Sequence, residues 1–232
     1  MILWIVLFIV IVAISFLLAL RSMKDYQEIP SESQYALFLI RNPKALNSRI
    51  LTNLAEDFLK RNLILSFERL FKGNKSTLLI FGPKLLADLY DMLDLLELED
   101  YTDVSSDRIS AWEVGIKEGK GESLDYARDK RVKGKGVFVN FPQLNESEHF
   151  WWQVLISRAF KPQIRAIVVS DSQSRRKQLL EELEKLAPHK LYKLPKVFSD
   201  SQILEFYKNR SYAVANENPH LTPDEILSLI KI

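Results

Sequence analysis

The chain has 232 residues, 32 Lys and Arg against 30 Asp and Glu, a formal net charge of +2, and no cysteine. Without cysteine there is no disulfide scaffold, thiolate zinc site, iron–sulfur cluster or cysteine nucleophile. Near-balanced charge argues against a tail that binds by net charge alone, and an apolar share of 47% is too high for a disordered chain.

Ile2 to Leu20 is a 19-residue run whose only polar member is Ser15. As a helix it would span about 28 Å, close to the ~30 Å hydrocarbon core of a bilayer. Trp4 sits near one end, where an indole favours the headgroup region. The run reads as an uncleaved signal-anchor, a transmembrane helix within residues 1–24. A cleaved signal peptide would need a basic n-region, which Met1-Ile2-Leu3 lacks, and a buried core helix is rarely apolar on every face. Arg21 and Lys24 follow the run. The positive-inside rule then predicts a single-pass protein of the inner or plasma membrane with its C-terminal domain in the cytoplasm. Residues 25–34 are polar, contain Pro30, and read as a linker.

Residues 35–41 form a compact apolar run ended by Asn42-Pro43, a strand. Residues 46–62 carry a helical stripe of Leu46, Ile50, Leu51, Leu54, Phe58 and Leu59. Residues 63–71 alternate as a strand, 72–75 turn, and 76–81 return as a second strand, predicting a hairpin. Gly82-Pro83 breaks that strand ahead of a helix over 84–96, and 109–117 is another strand. The order β-α-β-β-α-β predicts a ferredoxin-like sandwich over 35–117, an α+β fold that assigns no function by itself. Residues 118–232 predict a second mixed α/β unit. Its strands lie at 136–141, 163–170 and 190–194, and its helices at 145–159, 172–187, 200–210 and 223–232, the last capped by Thr222. A short echo links Phe38–Pro43 with Val137–Pro142, each leading through Leu-Asn into a predicted helix. Such turns use Pro and Asn for local reasons, so chance explains the echo better than duplication.

Four features carry chemistry worth weighing. From Asp88 to Asp107 there are eight acids and no base, with Asp88, Asp91 and Asp94 spaced three apart on the predicted helix. One carboxylate face could hold a divalent cation or serve as an acidic docking surface. The ordinary reading is the solvated side of an amphipathic helix. The basic loop Arg128, Lys130, Arg131, Lys133 and Lys135 suits anionic lipid headgroups, but without interleaved aromatics it is not a nucleic-acid platform. The ordinary reading is a charged loop kept soluble. The junction Ser170 to Arg176 could bind an anion at a helix start, though it lacks glycine, and capping by Asp171 or Ser172 is the simpler role. In Glu148 to Trp152, Asn145 and Glu148 look like a capping pair, Trp152 falls on the flank as a candidate partner surface, and His149 is a base without an assigned companion.

The sequence has no P-loop, dinucleotide fingerprint, zinc-protease helix or nucleophile elbow. It predicts no catalytic, cofactor-binding or metal-binding residues, no cofactor and no sequence-specific nucleic-acid binding.

The stretches 37–43, 66–73, 79–83 and 95–101 resemble uncharacterised single-pass membrane proteins of small-genome bacteria. Segments 111–116, 137–142 and 164–169 carry a fainter resemblance to the region ahead of the motor in conjugation and type IV secretion ATPases. That second resemblance implies docking or assembly without ATP hydrolysis, because the motor's phosphate loop has no counterpart here. The expectation is a membrane-anchored, non-enzymatic interaction or assembly module with a protein partner. The alternatives are a subunit of a secretion, conjugation or pilus envelope complex, and a membrane-bound hydrolase using carboxylates.

Overall fold

The computed structural model describes residues 11, 12, 15, 34–117, 142–156, 160–186, 191–212 and 218–231. They form an α+β fold on one eight-stranded antiparallel sheet. The strands are β1 (Tyr35–Ile40), β2 (Leu65–Lys72), β3 (Lys75–Pro83), β4 (Leu95–Leu98), β5 (Ile109–Ile116), β6 (His149–Ile156), β7 (Pro162–Val169) and β8 (Leu191–Lys193). The helices are α1 (Ser48–Asp57), α2 (Leu86–Leu89), α3 (Gln173–Leu186), α4 (Asp200–Lys208) and α5 (Pro223–Ile230).

The strand order is β4-β1-β3-β2-β6-β7-β5-β8. Reading inward from each edge gives β4-β1-β3-β2 and β8-β5-β7-β6, so the second four strands repeat the order of the first four. The halves meet at β2 and β6, which pair antiparallel from Leu65↔Ile156 to Lys72↔His149. The repeat lies in the topology. The Val137–Pro142 echo falls, except for Pro142, outside the described residues.

This arrangement corrects the expected ferredoxin-like sandwich with a separate second unit. The strand expected to complete the sandwich, now β5, lies in the far half between β7 and β8. The strand on the outer side of β1 is β4, which begins within the last two residues of the segment 84–96 predicted as one long helix. The rest of that segment holds the four-residue α2, a 3-10 turn at Asp91–Leu93, and a left-handed Asp94 at φ 50° that redirects the chain. The segment predicted as a helix over 145–159 contains β6. Its aromatic and β-branched residues are buried on both faces, which removes the polar alternation that marks a half-exposed strand.

The transmembrane expectation is also corrected. Among the described residues no helix is long and apolar enough to cross a membrane. The longest, α3, has 14 residues, about 21 Å at ~1.5 Å per residue, against a ~30 Å hydrocarbon core. Of the expected anchor only Ile11, Val12 and Ser15 fall within the description.

Strand alternation splits the side chains into two faces. On one, Phe38, Phe67, Ile80, Trp152, Val154 and Ile164 pack with α1, α2, α3 and α5. On the other, Trp151, Ile167 and Val169 pack with Ile203, Leu204 and Tyr207 of α4 and with Tyr101 and Val104. Local chemistry fixes the helix starts. Asn47 accepts from the Ile50 amide at 3.1 Å, and Ser199 and Thr222 form reciprocal capping boxes with Gln202 and Glu225. Gly73, at φ 53°, opens the two-residue β2–β3 turn, as a type II′ hairpin requires.

Candidate functional site

Four strands each place one polar side chain in the middle of the α4-covered face. They are Glu68 on β2, Gln153 on β6, Arg165 on β7 and Glu113 on β5. Register puts them in a row: Glu68 opposite Gln153, Gln153 opposite Arg165, Arg165 opposite Glu113. All four are buried. Burying a charge is costly unless it is paired and hydrogen-bonded, so the partners decide whether the row is tolerable.

Glu68 accepts five hydrogen bonds. Ser66 Oγ (3.1 Å), Gln153 Nε2 (3.1 Å) and Arg210 Nε (3.0 Å) donate to Oε1, while Tyr101 OH (2.7 Å) and Arg210 Nη2 (3.3 Å) donate to Oε2. Tyr101 spends its proton on Glu68, so Tyr207 OH donates to Tyr101 OH across 2.6 Å. Burial, with Glu68 beside them, pushes both phenols well above their usual range, so both stay protonated donors. Arg165 donates to Gln153 Oε1 (2.9 Å), Phe206 O (3.0 Å), Gln163 Oε1 (2.8 Å) and Ser211 O (2.5 Å), with its Nε 4.0 Å from Glu113 Oε1. Burial lowers Arg165 to about 10, which leaves it protonated near neutral pH. Two guanidinium groups thus balance two buried carboxylates.

Arg210 enters from the end of α4. The Ser211 amide bonds Phe206 O at 3.1 Å and the Arg210 amide bonds Tyr207 O at 3.2 Å, the pair of bonds that closes a Schellman motif. The residue at this left-handed position is usually glycine. Here Arg210 holds φ 47°, at a cost of roughly 1 kcal/mol for a residue with a Cβ. Its guanidinium reaches Glu68, also bonds Asp100, and lies 4.7 Å from the Phe81 ring centroid. Burial works against the charge on Arg210, but Glu68 and Asp100 raise its pKa overall. The clasp ties α4 and the 99–104 segment to the seam between the halves.

The sequence-selected residues lie elsewhere. Asp88, Asp91 and Asp94 are exposed, and the broken helix prevents them from sharing one face. Asp94 pairs with Arg41 through two bonds of 3.0 and 2.7 Å. Among the described residues no group of His, Cys, Asp or Glu could hold a metal ion. Arg128, Lys130, Arg131, Lys133 and Lys135 lie outside the described residues. Trp152 is buried at 3% exposure and donates Nε1–H to Leu229 O at 3.0 Å, so it is a core residue under α5, and its expected place on a partner surface is corrected. Asn145 and Glu148 do bond one another, but in a turn that enters a strand, and Glu148 pairs with Arg175 at 2.9 Å. Ser172 Oγ accepts from the Arg175 amide at 3.3 Å, the capping role, while Asp171 pairs with Arg108. His149 is half-buried, and burial together with Lys72 and Arg108 lowers its pKa.

Sequence reasoning passed over Glu68, Tyr101, Glu113, Gln153, Arg165, Tyr207 and Arg210, and met Asp100 only as one acid of the 88–107 stretch. A signal existed for three of the four strand residues: Glu113, Gln153 and Arg165 each interrupt a largely apolar strand near its middle, whereas β2 also carries Ser66, Arg69 and Lys72. Compared with known proteins, the chain matches no protein-family model and no curated protein.

Proposed function

We propose that the domain is a non-enzymatic interaction or assembly module. The observation that carries this reading is the β4 edge. Both faces of the sheet's centre are covered, yet Leu96 and Leu98 stand 46% and 37% exposed on a strand with one neighbour among the described residues. A strand edge with exposed apolar side chains is a template for pairing, which natural sheets otherwise blunt or cover. The buried charges support the same reading. Glu68, with five donors on its carboxylate, is committed to the fold and has little capacity left to act as a general base.

The test is capture by the tagged full chain, in mild detergent because of its apolar 2–20 run. The expected result is a complex that saturates at fixed stoichiometry. Absence of any saturable complex, or a hydrolytic turnover abolished by Asp88→Asn or Asp91→Asn, would overturn the proposal.

A further inference from the structure

The two ends of the sheet differ in charge. Around β4, Asp88, Asp91, Asp94, Glu97 and Glu99 are exposed, against two cations, Lys84 at 3.8 Å from Glu97 and Arg41 bonded to Asp94. Around β8, Lys117, Lys193 and Lys196 are exposed; Lys196 pairs with Asp200 at 2.9 Å, while Lys117 lies 5.8 Å from the Tyr192 ring centroid and Lys193 5.8 Å from that of Trp112. Each strand has one hydrogen-bonded neighbour among the described residues, β1 for β4 and β5 for β8.

The faces match as well. Leu98 pairs with Leu37 and Leu96 with Leu39, which puts both exposed leucines on the α4-covered face. Tyr192, 39% exposed, pairs with Gly115 and lies on that same face. Glu97 pairs with Phe38 and Lys193 with Val114, both on the opposite face. Strand directions agree too. Among the described residues every pairing is antiparallel and eight strands make up the sheet, so β4 and β8 run in opposite directions. A second copy moved sideways without being turned over therefore meets β8 with an antiparallel β4. Setting Glu97 opposite Lys193 then sets Leu98 opposite Tyr192 on the other face.

We propose that copies of this chain associate head to tail, the β4 edge of one against the β8 edge of the next. The charges select this contact. A symmetric β4–β4 pair would bring Glu97 and Glu99 against their own copies, and a β8–β8 pair would bring lysines together, both repulsive. A head-to-tail contact does not close at two copies, so it builds short chains or rings. The inference rests on the reading of the domain as an assembly module and names its partner as a second copy.

The test is sedimentation velocity on the purified full chain in mild detergent over rising protein concentration. At about 0.01 M salt, where the Debye length is about 30 Å, the mean mass should rise past dimer; at about 1 M, where it is about 3 Å, it should fall back towards monomer. The wild-type salt response needs no variant to fold. Glu97→Lys with Glu99→Lys makes both edges basic, and Lys193→Glu weakens the opposite edge. Each variant, folded by circular dichroism, should stay monomeric, and an equimolar mixture should recover association. Monomer at every concentration, a distribution that stops at dimer, or variants that associate like wild type would overturn the inference. A monomeric chain that still captures a saturable protein partner would overturn this inference alone and leave the assembly reading in place.

Discussion

Replacing Arg210 with Met tests whether the buried clasp holds the two halves of the sheet together. Arg210 and Glu68 are 2% and 0% exposed, so the substitution strands a carboxylate that water cannot reach. Breaking a buried pair from one side costs about 3–5 kcal/mol. Ser66, Tyr101 and Gln153 still donate to Glu68 in the variant, which points to the lower end. The lost bond to half-exposed Asp100 adds little after solvent screening. Arg210→Met should therefore cost about 3 kcal/mol, or roughly 6–12 °C in Tm for a domain of this size. Arg210→Gly separates the backbone from the clasp. Glycine relieves the left-handed φ, so it should be roughly 1 kcal/mol less damaging than Arg210→Ala. Urea unfolding followed by tryptophan fluorescence reads these differences, since Trp112, Trp151 and Trp152 are all buried. A loss below about 1 kcal/mol for Arg210→Met, or equal stability of the Gly and Ala variants, would refute the reasoning.

Three further outcomes follow from the same geometry. His149 is held below its usual 6.5 by burial and by Lys72 and Arg108, so the unfolded chain binds a proton that the folded chain resists. Stability should fall as pH drops below about 6.5, and His149→Gln should flatten the urea midpoint over that window. Trp152→Phe removes the donor to Leu229 O and should cost about 1 kcal/mol, with faster amide exchange confined to α5. Asp88→Asn and Asp91→Asn lie on exposed surface and should change stability by no more than about 0.5 kcal/mol, with no Mg²⁺-dependent shift in Tm in either wild type or variants.

Several elements were legible because a local rule decides them. The β2–β3 hairpin follows from its Gly-Asn turn, and α5 from the Thr-Pro-x-Glu signature at its start. Two elements were misread where local and tertiary signals diverge. In 84–96 the leucine spacing fits a helix, but pairing with β1 draws Leu95–Leu98 into an edge strand. In 145–159 a capping-like Asn145–Glu148 turn precedes a run buried on both faces, and an apolar run of that length suits a helix or a central strand equally. The buried row was missed for a related reason. Glu68, Gln153, Arg165 and Glu113 come from four strands, and only the register sets them side by side.

What the sequence determined alone was local and compositional: the α+β class, the absence of thiol chemistry, the Thr222-capped start of α5, the apolar run 2–20, and acids gathered between residues 88 and 107. Each depends on neighbours within a few positions along the chain. Tertiary structure decided which strands adjoin, and with that nearly everything bearing on function. It joined two halves of like strand order through β2 and β6, and locked the seam with Arg210, 142 positions from Glu68. Among the described residues it also gathered acids around β4 and lysines around β8, the two outermost strands of the sheet. Antiparallel pairing is set by which apolar faces can be buried together, a condition on the whole sheet that no single segment encodes.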